Sequence, residues 1–118
     1  MGIDPHLVAR LSGHAEERLL FLFYDRDGTF GAEWALTGSL SSIAVLRSEL
    51  ARAAVTSEAR YAVMAHNHPS GAPGPSPQDI ISTRQAYRLF AALGVTLTDH
   101  VIVARDGLAF SFRLAGLV

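Results

Sequence analysis

The chain has no cysteine among its 118 residues. Disulfides and thiolate metal sites are therefore excluded, and cysteine usage says little about the redox compartment. It also lacks an apolar run near twenty residues and a recognisable secretory leader, so no membrane span or membrane partner is expected. A cytoplasmic protein is the default expectation. Strong charge of one sign is missing as well, with a formal net charge of −1 and a pI near 6.5. Nothing in this balance predicts strong nonspecific binding to DNA or to an anionic surface. Arg47, Arg52, Arg60, Arg84 and Arg88 are spread out and read as a solvated face. No internal repeat is visible. What remains is a chain with 49% hydrophobic and 18% charged residues, a composition for one folded domain with a real core.

Turn residues and apolar runs divide the chain. Asp4-Pro5 suits the N-cap and first turn of a short helix or arm reaching about residue 14. Leu19 to Tyr24 is a continuous, aromatic-rich run, predicting a buried strand. Asp25-Arg26-Asp27-Gly28 signals a hairpin, with a second strand from Phe30 to Thr37. After Gly38-Ser39-Leu40-Ser41-Ser42, a helix of about 14 residues is expected. Ser42 is its candidate cap, and Ile43, Leu46, Leu50 and Ala53 or Ala54 form one stripe. Tyr61 to Ala65 reads as a third, buried strand running into His66. A second helix is expected from Pro77 to Gly94, a suitable residue for its end. Val95 to Ala104 and Leu108 to Leu114 read as the last strands, joined at Asp106-Gly107. The fold class expected is α/β (α+β), with a mixed sheet flanked by helices.

The chemistry concentrates between His66 and Asp79. His66 and His68 are two apart, so on a strand end both imidazoles point to one face and can reach one ion. Asp79 at the start of the following helix can supply a third ligand. Two imidazoles and a carboxylate make an open zinc site, with a fourth position left for water. Residues 69–77 hold four of the five prolines and two glycines, which restrict the loop between the two halves. Ser76-Pro77-Gln78-Asp79 is also a good helix start without any chemistry, and a helix cap can still hold a metal ligand in place.

His-x-His, seven residues, Ser, two residues and Asp resembles the signature of the JAMM (MPN+) metalloprotease superfamily. The wording His66-Asn67-His68-Pro69-Ser70-Gly71 resembles its RadC branch, as do Thr83-Arg84, Gly38 and the segment Leu93 to Val103. The resemblance covers roughly residues 16–114. It implies an architecture like that of the MPN and cytidine deaminase folds, and one zinc ion per chain on His66, His68 and Asp79. It further implies an oxyanion-stabilising role for Ser76, an upstream glutamate as general base, and a peptide or protein substrate. In JAMM proteins that glutamate sits where the chain enters the first strand, which here is Glu17; Glu33 and Glu49 compete. The helix-hairpin-helix region of longer RadC proteins is not recognised, which suggests a short family member or an excised domain.

Asp99-His100 resembles a recurrent pair in RadC-like chains, and a hydrogen-bonded, partly buried histidine is favoured over a fourth ligand. His6 and His14 join no constellation, and Trp34 reads as core or interface. The competing function is a non-catalytic metal-binding or interaction module in DNA repair or DNA metabolism, to which the charge gives no support. A zinc deaminase is disfavoured by the missing cysteines. An HNH nuclease is suggested only by the letters His-Asn-His.

Overall fold

A computed structural model describes residues 2–38 and 43–118. The chain opens with helix α1, Pro5–Leu11, capped by the Asp4 side chain, which accepts from the His6 N–H at 2.9 Å. Strands β1, Arg18–Tyr24, and β2, Phe30–Thr37, form the expected hairpin. Its turn closes through Gly28, whose φ of +80° places it in the region glycine occupies without strain. A 3₁₀ turn, Ile43–Leu46, leads into α2, Arg47–Thr56. The expected helix is therefore two pieces, and its candidate cap Ser42 lies outside the described residues. Ile43, Leu50 and Ala54 are buried on the predicted stripe.

Strand β3, Tyr61–His68, extends three residues beyond the predicted segment and carries both histidines. Helix α3, Pro77–Ala92, follows the proline-rich loop. It ends in a Schellman motif, with Gly94 N–H on Ala91 C=O at 3.1 Å and Val95 N–H on Phe90 C=O at 2.8 Å. Strand β4, Thr96–Ala104, runs parallel to β3. The last strand, β5, is Ala109–Ser111 and not the predicted Leu108 to Leu114. The chain turns after Ser111, held by the buried Asp99 carboxylate, which accepts from Ser111 Oγ at 2.7 Å and Arg113 N–H at 3.0 Å.

The five strands form one mixed sheet in the order β2-β1-β3-β4-β5. Alternation divides β1 between two cores. Leu19, Phe21 and Phe23 face α2 and α3, packing with Met64, Leu50, Phe90 and Leu97. Leu20 and Leu22 face α1, with Leu7, Leu11, Ala65, Val101 and Val103. Phe21, Phe23 and Phe90 are fully buried and meet edge to face. Each such side chain contributes roughly 1.5–3 kcal/mol by leaving water. Trp34 is half-buried against this core and edge-on to Phe21, so of the two roles expected for it, core or interface, it takes part in the core. Among the described residues no helix is long and apolar enough to cross a membrane.

Candidate metal centre

The parallel pair β3–β4, joined through α3, places the carboxyl end of β3 beside the first turn of α3. Ligand sites in open α/β sheets form at such strand ends. His66 and His68 share parity with Ala62 and Met64, which belong to the core under α2 and α3, so both face the helix that carries Asp79. His66 Nε2 lies 3.0 Å from His68 Nε2 and 3.3 Å from Asp79 Oδ1. His68 Nε2 lies 3.1 Å from Asp79 Oδ2. Four ligands around zinc at tetrahedral angles are separated by about 3.3 Å. Among the described residues this is the one such cluster of histidines and carboxylates that could hold a metal ion.

The protons of these groups are committed elsewhere. His68 Nδ1 is 3.0 Å from the Ala72 carbonyl, which can only accept, so Nδ1 carries the hydrogen and Nε2 a lone pair. Behind His66 a chain of hydrogen bonds runs through Asp79, Thr83 and His100. The Thr83 hydroxyl donates to the Asp79 carbonyl at 2.6 Å. Its oxygen therefore accepts from His100 Nδ1, also at 2.6 Å. That leaves His100 Nε2 as the acceptor for His66 Nδ1–H at 2.7 Å, and His66 Nε2 again presents a lone pair. Two lone pairs and a carboxylate then face one another with no hydrogen between them. Such a donor set repels itself unless a cation lies among its members, and it matches what a divalent zinc ion takes.

Electrostatics agree. His100 is completely buried and stacked on Phe112 with ring centroids 4.6 Å apart. Burial first, and then the neighbouring His66, hold its pKa well below the usual histidine value, so it relays as a neutral ring. Burial pushes the Asp79 carboxyl up. The Ser76 N–H, donating to Oδ2 at 2.8 Å, works against that and favours the ionised carboxylate. Ser76 and Asp79 form a reciprocal capping box on α3, Asp79 N–H to Ser76 Oγ at 3.1 Å and Ser76 N–H to Asp79 Oδ2 at 2.8 Å. The cap and the cluster thus use the same carboxylate.

Glu17 stands at the mouth of β1. It lines a cavity of about 30 Å³ together with His66, Asp79, Gly38 and Gln78, room for about one water molecule. Glu33 is elsewhere, in a forked ion pair with Arg10 of α1. Glu49 is exposed in the first turn of α2 and has no part in that cavity. Of the three glutamates, then, only Glu17 shares a cavity with His66 and Asp79. Two neighbours of the cluster, Thr83 and His100, have no role that the sequence alone assigns. The four-residue spacing from Asp79 was the available signal for Thr83, because a hydroxyl at that distance reaches back to a helix carbonyl.

The profile of the RadC-like JAB domain family matches residues 4–117. The chain belongs to the RadC-like JAB domain family. It is 36% identical over 115 residues to a UPF0758 protein of Burkholderia ambifaria, covering 97% of this chain and 44% of that protein. It is 34% identical over 117 residues to one of Stenotrophomonas maltophilia, covering 98% and 50%, and 36% identical over 103 residues to one of Rhodobacter capsulatus, covering 86% and 48%. This RadC-like domain thus spans about half the length of these relatives.

Proposed function

We propose that this RadC-like JAB domain is a zinc-dependent hydrolase of the JAMM type that cleaves peptide or isopeptide bonds. One zinc ion per chain would be held by His66, His68 and Asp79. The observation that carries this reading is the convergence of proton-free donor atoms on one point, with each imidazole proton committed to a partner behind the site. When bound, zinc supplies a Lewis acid that polarises a carbonyl and makes water acidic near neutral pH. The chain's own residues do the rest. Glu17, in the wall of the same cavity, accepts a proton from the attacking water and returns it to the leaving nitrogen. Ser76 keeps a hydroxyl hydrogen, because its oxygen is the acceptor in the cap. That hydrogen serves the developing oxyanion. A cytoplasmic setting and a peptide or protein substrate belong to the same reading. The net charge of −1 offers nothing for nucleic acid.

The test is hydrolysis of a panel of peptides and isopeptide-linked conjugates by zinc-loaded protein. Turnover should vanish with a chelator and return with zinc. Glu17→Gln should keep its zinc and lose activity roughly 10²- to 10⁴-fold. Undiminished activity in that variant would remove Glu17 from the mechanism. Zinc binding with no turnover on any conjugate would favour the non-catalytic metal-binding module.

A further inference from the structure

We infer that Asn67, between the two histidines, is a positioning residue for Glu17. Its side-chain amide takes over where the β1–β3 ladder stops, and clamps the backbone on both sides of that glutamate. The inference rests on the reading of Glu17 as general base.

The β1–β3 pairing ends at Leu19 opposite His66. Beyond it β3 continues only alongside β4, with Asn67 opposite Val103 and His68 opposite Ala104. Asn67 is fully buried. Its Oδ1 accepts from Arg18 N–H at 2.6 Å, and its Nδ2 donates to the Glu16 carbonyl at 2.9 Å. These partners settle the amide's orientation, since an N–H needs an acceptor and a carbonyl needs a donor. The side chain thereby offers the donor and acceptor that a neighbouring strand would offer.

Glu17 lies between the two clamped groups. From the other side, its own carbonyl accepts from Gly38 N–H at 2.8 Å, just past the end of β2. Alternation completes the arrangement. Asn67 shares parity with Ala65, on the α1 face. Glu17 shares parity with Leu19 and Phe21, on the face of the histidines. The clamp therefore works from behind the sheet while the carboxylate stands in front of it. Aspartate at position 67 would keep the acceptor but lose the donor to Glu16, and alanine would lose both.

The experiment compares Asn67→Ala and Asn67→Asp with wild type in the intact chain. Zinc content, amide exchange and, with cobalt(II) as the bound probe, the pseudocontact shift of the Glu17 amide are read together. Both variants should keep one zinc per chain and the protection of core amides such as Phe21. In Asn67→Ala the Arg18 amide should exchange about tenfold faster, as expected for one lost hydrogen bond. The cobalt-induced shift of Glu17 should change in both. Turnover should fall by about a hundredfold in kcat with KM little altered. The double variant Glu17→Gln with Asn67→Ala should be no slower than Glu17→Gln alone. An unchanged Glu17 shift in both variants, or losses that multiply in the double variant, would overturn the proposal. Should Asn67→Ala fail to fold, Asn67→Asp carries the same zinc, shift and turnover readouts. A wild type that hydrolyses nothing would sink the hydrolase reading, while exchange and cobalt shift still decide whether Asn67 holds Glu17.

Discussion

Two aspartates sit at opposite ends of the sheet, and both use their carboxylates to satisfy backbone amides. Asp25, in the β1–β2 turn, accepts from Asp27 N–H and Thr29 N–H through Oδ1, each at 2.9 Å. Asp79, at the start of α3, accepts from Ser76 N–H through Oδ2 at 2.8 Å. The local chemistry is nearly the same, and so is its sequence signal, a carboxylate beside turn-forming residues. What differs is the company. Asp25 lines a cleft with Arg26, Asp27, Glu58 and Arg60, a mixed-charge turn surface with no imidazole. Asp79 faces two imidazole nitrogens whose hydrogens are used elsewhere. A capping carboxylate becomes a candidate ligand only when a second element brings it other lone pairs. Here that element is the carboxyl end of β3.

The largest effect should come from removing members of the cluster. His68→Ala and Asp79→Ala should each lower zinc from about one per chain to below about a tenth, because two remaining ligands hold the ion poorly. Asp25→Ala should keep its zinc and lose about 1 kcal/mol of folding stability. Elemental analysis and denaturant unfolding on the same samples check both halves. Zinc loss in Asp25→Ala would break the comparison.

A smaller effect is expected behind the site. His100→Leu removes the acceptor for His66 Nδ1–H. Zinc affinity should drop about 10- to 100-fold, the usual scale for an outer hydrogen-bond partner of a metal-ligating histidine. Competition against a chromophoric chelator measures it. Affinity equal to wild type would mean that the His66 tautomer does not depend on this relay.

The smallest effect sharpens the contrast between paired and site carboxylates. The hydrogen bonds from Arg10 lower the Glu33 pKa against a smaller opposing effect of burial. A carboxylate lowered on folding stabilises the fold fully above its unfolded value, and this stabilisation is lost as pH falls through the lower folded value. The Arg10 side chain is half exposed, so Glu33→Gln should cost at most about 1 kcal/mol at neutral pH. That difference should fade in acid, with zinc content unchanged. Urea unfolding at neutral and acidic pH gives the answer, and a deficit that persists in acid contradicts the ion-pair account.

Much of this protein was determined locally and could be read from its residues. The run from Leu19 to Tyr24 had to be a buried strand, and Asp25 to Gly28 a turn. Ser76-Pro77 had to open a helix, and Gly94 had to close one. His66 and His68, two apart on a strand, had to share a face. These features depend on neighbours within a few residues, where backbone geometry and side-chain alternation decide. The alternating apolar pattern from Phe110 to Leu114 predicts a longer last strand than Ala109–Ser111; a distant carboxylate, Asp99, turns the chain after Ser111.

Only the tertiary structure decided the support of the site. The β3–β4 ladder slips by one residue between Ala62 and Val63, so that Leu97 pairs with Ala62 while Asp99 pairs with Val63. A one-residue slip reverses which side chains face which side. It turns His100 toward His66 and Thr83, and Asp99 toward the α1 face. Without it the relay that fixes the His66 tautomer has no middle member. Likewise, nothing local says that Asn67 reaches Arg18, 49 residues earlier, or that Glu17 and not Glu33 lines a cavity with His66 and Asp79. Strand order and register make those choices, since they bring together groups that no local pattern relates.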